Sequence, residues 1–176
     1  MRRTFKSLEL VCVGAVPPAL MREVAGRLGE RLSRPVALPA LEIDARPAMD
    51  LLRRQYSAAR MLELLMDPPA PPSVKRVGIT PLDLFLPVFT HLYGYAQLGG
   101  SVAVVSTFRI TPGSDAPPGL LMERTVREAL HEIGHTTGLA HCRAPWCAMH
   151  PSRWPEEIDL KDAAFCAPCA RVMAGH

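Results

Sequence analysis

Cysteine is scarce in this 176-residue chain: there are five, and only Cys12 lies outside the stretch from Cys142 to Cys169. A disulfide framework distributed along the chain is therefore excluded, and the fold must rest on a packed core. Aromatic residues make up only 6%, so Leu, Val, Ala and Met must fill most of that core. No segment approaches the roughly 20 apolar residues of a membrane helix, so no membrane partner is expected. The net charge is only +3, and the basic residues are scattered rather than drawn into a stripe, which argues against a nucleic-acid partner. Internal repeats and low-complexity segments are missing as well. Arg2, Arg3 and Lys6 ahead of an apolar run imitate a secretory signal, but Leu8 to Val13 is short and Glu9 interrupts it. We expect an opening strand there, and a cytoplasmic, monomeric protein. Cys12, inside that strand, reads as a small buried apolar residue.

Proline is what the chain has in quantity, with 18 residues, favouring short elements and fixed turns. Hydrophobic residues at 48% suffice for one domain. Pro17-Pro18 opens a helix to about Leu32, with Leu20, Val24, Leu28 and Leu32 at four-residue spacing. Pro35 to Ile43 reads as a proline-interrupted strand, and Met49 to Leu65 as a second helix. Val74 to Ile79 and Ser101 to Ser106 read as strands, Asp83 to Leu86 as a short extended piece, and Val88 to Gln97 as irregular. A third helix is expected from about Leu120 to Gly138, with Met122, Val126, Leu130 and Ile133 as its buried stripe. Strands alternating with helices indicate an α/β fold, a twisted mixed β-sheet with packed helices.

The chemistry is concentrated near the C-terminus. His131 and His135 are four residues apart, so one helical turn of about 6 Å puts both rings on one face. Glu132 is rotated roughly 100° from His131 and can reach a water on the metal rather than the metal itself. Two solvated histidines beside a charge would give the same local pattern. Gly138 and His141 extend it: a glycine can end the helix and swing His141 round as a third ligand. Cys142, Cys147, Cys166 and Cys169 supply four thiolates, a closed set that suits a structural zinc. Two disulfides, or a redox Cys-x-x-Cys, are the alternatives.

The extended pattern resembles the metzincin clan of zinc peptidases. Cys142 directly after His141, then Cys147, Ala148-Met149 and Cys166-Ala-Pro-Cys169, is similar to the archaemetzincins. Arg53-Arg-Gln-Tyr56, Ile79-Thr-Pro-Leu-Asp83-Leu, Tyr93-Gly-Tyr-Ala96 and Val104-Val-Ser106 resemble that family's other blocks. The resemblance implies two zinc ions per chain, a catalytic one on His131, His135 and His141 and a structural one on the four cysteines. It implies Glu132 as general base, Met149 in the turn beneath the site, and a peptide as substrate. It also implies a metzincin-like subdomain over residues 1–141 and a zinc-stapled subdomain over 142–176. Residue by residue, Met149 could equally be a core methionine and His150 a surface histidine. The interval from Met149 to Cys166 is one residue shorter than is usual in the family, which could shift the last cysteine pair. Ser101 to Ser106 is expected as the edge strand that receives the peptide. Without an evident propeptide, restraint must come from a narrow cleft favouring short peptides. The rival readings are a non-catalytic zinc protein on a metzincin scaffold that binds a peptide or protein partner, and a zinc finger formed by the cysteine tail.

Overall fold

The computed structural model describes residues 5–175, so Arg2 and Arg3 lie outside the described residues. In chain order the elements are strand β1 (Ser7–Cys12), helix α1 (Pro18–Leu32), strands β2 (Val36–Ala37), β3 (Met49–Asp50) and β4 (Gln55–Ser57), and helix α2 (Ala58–Leu65). Then come strands β5 (Val74–Thr80), β6 (Leu84–Leu86), β7 (Phe89–Leu92), β8 (Gly94–Ala96) and β9 (Val102–Ser106). The helices α3 (Leu120–Thr136), α4 (Pro155–Asp159) and α5 (Ala167–Met173) complete the chain.

The main sheet has the order β2-β1-β5-β9-β8. Its strands are parallel except β8, which runs antiparallel to β9. Alternation along the strands explains how it is covered on both faces. Leu8, Leu10, Val77, Ile79, Ala103 and Val105 face α1 and α3 in one core. Val11, Val13, Val102 and Val104 face α2 in another. Gly78 belongs to this second face, where a Cβ would come within 2.9 Å of Leu65 Cδ1. A smaller sheet, β3-β4-β6-β7, adjoins the second core. The fold is thus the expected α/β type, with mixed sheets and packed helices.

Three local expectations are corrected. The second helix covers only Ala58–Leu65, capped by the Ser57 side chain on the Arg60 N–H. Upstream, Asp50 Oδ1 accepts from the N–H groups of Leu52 and Arg53, each at 3.0 Å, and Arg54 takes a φ of 56°. This turn joins β3 to β4 and leaves Leu52 98% exposed, so the first part of the expected helix is a hairpin tip. The strand expected over Pro35 to Ile43 shrinks to Val36–Ala37, since proline cannot donate to a ladder. Finally, Val88 to Gln97 is not irregular but carries β7 and β8.

That last change moves the sheet edge. Val102–Ser106 is buried at every residue and lies between β5 and β8, so it is a central strand. The edge nearest α3 is β8, paired to β9 as Gly94↔Val105, Tyr95↔Val104 and Ala96↔Ala103. Gly99 N–H, in the turn after β8, donates to the His135 carbonyl at 2.9 Å. The edge strand is therefore fastened to the helix that carries the histidines.

Candidate active site

Helix α3 is amphipathic, with Val126, Ala129, Leu130 and Ile133 in the main core. It ends as the sequence suggests. Gly138 takes a φ of +90°. The Gly138 N–H donates to the His135 carbonyl (2.9 Å) and the Leu139 N–H to the Gly134 carbonyl (3.1 Å), the paired bonds of a Schellman turn. The turn has a second effect. It presents the Leu139 carbonyl to His135 Nδ1 at 2.8 Å. His131 Nδ1 meets the Ala148 carbonyl at the same distance.

Carbonyl oxygens only accept, so both Nδ1 atoms carry the ring proton and both Nε2 lone pairs are free. Those two Nε2 atoms face each other at 3.1 Å. His141 completes the group, its ring centroid 5.2 Å from that of His131 and 5.1 Å from that of His135. One donor nitrogen from each ring lies within 4.8 Å of the others. A tetrahedral zinc with legs of 2.0–2.1 Å has ligand edges of about 3.3 Å, so the set fits that ion. Burial lowers the pKa of all three imidazoles, that of His131 to about 4, which keeps them neutral as ligands must be.

Met149 packs directly beneath. A Cβ on Gly134 would collide with Met149 Sδ, so the glycine between the two helical histidines lets the turn approach the helix. Met149 is fully buried in the main core, as are Cys147 and Ala148.

The four cysteines also converge, their sulfurs within 4.8 Å of one another and unoxidised. The family's usual interval is thus not needed to bring the last pair into place. Cys142 Sγ and Cys166 Sγ are 3.7 Å apart. A tetrahedron with zinc–sulfur legs of 2.3 Å has edges of about 3.8 Å. Cys147 Sγ accepts the backbone N–H groups of Met149 (3.5 Å) and Cys166 (3.4 Å). Burial pushes the Cys147 and Cys169 thiols up, while the Cys169 N–H pulls Cys166 down. A divalent cation would offset the mutual repulsion of four thiolates. The two clusters share a hinge: Cys142 follows His141, its N–H donates to the Met149 carbonyl (2.9 Å), and its carbonyl meets His150 Nδ1 (3.0 Å). His150 is thus half-buried bracing, not a free surface histidine.

The histidines and Glu132 open onto a cleft of about 710 Å³, with β7 and β8 on one side and Pro151 to Arg153 on the other. Its lining is mainly apolar, including Leu86, Phe89, Leu92 and Leu98. Burial holds the Glu132 carboxyl well above the usual carboxylate range, and the neighbouring charge of Glu128 adds to this. One turn before Glu132, Glu128 is ion-paired to Lys161 at 2.8 Å, both buried, and the Lys161 ammonium also reaches the His150 carbonyl (3.2 Å). Lys161 is therefore an internal strut. Nothing in the local sequence pairs it with Glu128; the contact spans 33 residues.

The sequence profile of Peptidase family M54 matches residues 37–174. An archaemetzincin from Haloquadratum walsbyi is 31% identical over 172 residues, covering 94% of this chain and 98% of the relative. This chain belongs to peptidase family M54, the archaemetzincins. The crystal structure of the Methanopyrus kandleri archaemetzincin is similar with a TM-score of 0.85 at 29% identity, over 99% of this chain and 97% of the other. The Archaeoglobus fulgidus archaemetzincin, solved with malonate, gives 0.81 at 31% identity over 94% and 99%. Membership makes the chain a zinc metallopeptidase, a hydrolase that acts on peptides. Among the described residues, no helix is long and apolar enough to cross a membrane.

Proposed function

We propose that this archaemetzincin hydrolyses short peptides at the His131–His135–His141 site, with Glu132 as general base and a second, structural zinc on Cys142, Cys147, Cys166 and Cys169. The observation that carries the reading is the convergence of three neutral imidazoles and one buried carboxyl in a single cleft bordered by the free edge of β8. Zinc, when held by the imidazoles, supplies Lewis acidity towards water and the substrate carbonyl. The Ala148 and Leu139 carbonyls hold the His131 and His135 rings in the tautomer that leaves Nε2 open. Glu132, made more basic by burial, takes a proton from the attacking water and passes it to the leaving nitrogen. Among the described residues the outer side of β8 carries no further strand, so an extended peptide can add there through backbone hydrogen bonds. This replaces the expected role of Ser101 to Ser106. We read residues 142–176 as a zinc-braced subdomain closing the floor of the site.

The test is a Glu132→Gln variant assayed for metal content and hydrolysis of a peptide that the parent cleaves. Full zinc with hydrolysis reduced at least a thousandfold is expected. Retained turnover would remove Glu132 from the mechanism. Elemental analysis of protein purified without added metal should give two zinc ions per chain; one would reject the second site.

A further inference from the structure

Two glutamates one turn apart on α3 are held in different ways. Glu128 has Lys161. Glu132 takes part in none of the ion pairs among the described residues. Its side chain lies instead against Gly94, the first residue of β8. A Cβ built on Gly94 would fall 2.5 Å from Glu132 Oε1, 2.7 Å from Cγ and 2.9 Å from Cδ. Gly94 is not among the residues with positive φ, so its backbone does not require a glycine. Glycine also weakens a strand, since it loses the most freedom on folding and offers no side chain to pack. What remains to account for it is the space it leaves.

We propose that Gly94 is a positioning residue: the gap over its Cα seats the Glu132 carboxylate against the edge strand. This rests on the reading of Glu132 as general base. The base is then located by the same strand that a peptide would join, so substrate register and proton acceptor share one backbone reference. Any side chain at position 94 would move the carboxylate, and a displacement of about 1 Å can cost on the order of a hundredfold in rate.

The experiment is a cycle of Gly94→Ala, Glu132→Asp and the double variant. It is read by zinc content, by thermal midpoint of the chelated proteins, and by kcat and KM on a fluorogenic peptide. Gly94→Ala should keep its zinc and lose about ten- to a hundredfold in kcat, with KM within about threefold. The fall in midpoint caused by Gly94→Ala should shrink when residue 132 is Asp, whose shorter side chain withdraws from the new methyl group. An unchanged kcat, a loss confined to KM, or equal midpoint falls in both backgrounds would overturn the proposal. If Gly94→Ala fails to fold, folding of the double variant supports the proposal and its failure overturns it. Hydrolysis retained by zinc-loaded Glu132→Gln would instead remove the general-base reading, whereas an inactive Glu132→Gln beside a fully active Gly94→Ala rejects this inference alone.

Discussion

The Nε2 atoms of His131 and His135 stand 3.1 Å apart while both Nδ1 hydrogens are committed to the carbonyls of Ala148 and Leu139. Two lone pairs this close in a half-buried site repel, and a shared cation removes the repulsion. Metal should therefore act as a folding ligand. At free zinc a thousandfold above Kd, one site stabilises by about 4 kcal/mol. Chelation is expected to lower the thermal midpoint by several degrees and added zinc to restore it. A midpoint indifferent to both would contradict the paired geometry.

Acid should weaken the metal-free protein in a defined window. Burial lowers the His131 pKa to about 4 in the folded chain, against about 6.5 when unfolded. Between those values the unfolded state binds the extra proton, so stability rises with pH. It is fully present above about 6.5 and is lost as pH falls towards 4, by roughly 3 kcal/mol for this one group. Urea unfolding of chelated protein across that range would show the slope, and His131→Gln should reduce it to the share that the lowered pKa values of His135 and His141 leave.

Lys161 and Glu128 are 2% and 4% exposed. Removing one partner of such a pair strands the other charge, at a cost of about 3–5 kcal/mol. Lys161→Met should therefore be strongly destabilising, and Lys161→Met with Glu128→Leu should recover much of the loss. Denaturant midpoints of the two variants decide the matter; equal losses would mean that packing, not the charge, holds the strut.

Cys142 connects the two clusters through its peptide neighbour His141 and its backbone bonds to Met149 and His150. Cys142→Ser and Cys169→Ser should each lose zinc from the cysteine site and also lower occupancy of the histidine site. Metal content with intact histidine-site occupancy in either variant would show the clusters to be independent.

Much of the site could be read from residue spacing, because its candidate ligands come from local patterns. His131 and His135 share a helical face, Gly138 ends that helix, and Cys166 and Cys169 flank a single turn. The edge strand could not be read this way. Gly94 to Ala96 has no alternation to betray it, and its strand character comes from pairing with β9, which the local pattern does not reveal. The hairpin at Asp50 to Arg54 was hidden by leucines that imitate a helical stripe while pointing into solvent. Gly134 and Gly94 were unreadable for a different reason. Each is explained only by what lies across from it, Met149 in one case and Glu132 in the other.

Cys147, Ala148 and Met149 share a core with Leu10, Leu28 and Ile133. The stretch after Cys142 is accordingly a floor beneath the first strand of the sheet, and the growing chain adds it after α3. Until it arrives, the underside of α3 is open and His131 lacks the carbonyl that orients it. Orientation of the His131 ring thus waits for residues well beyond the helix that carries it.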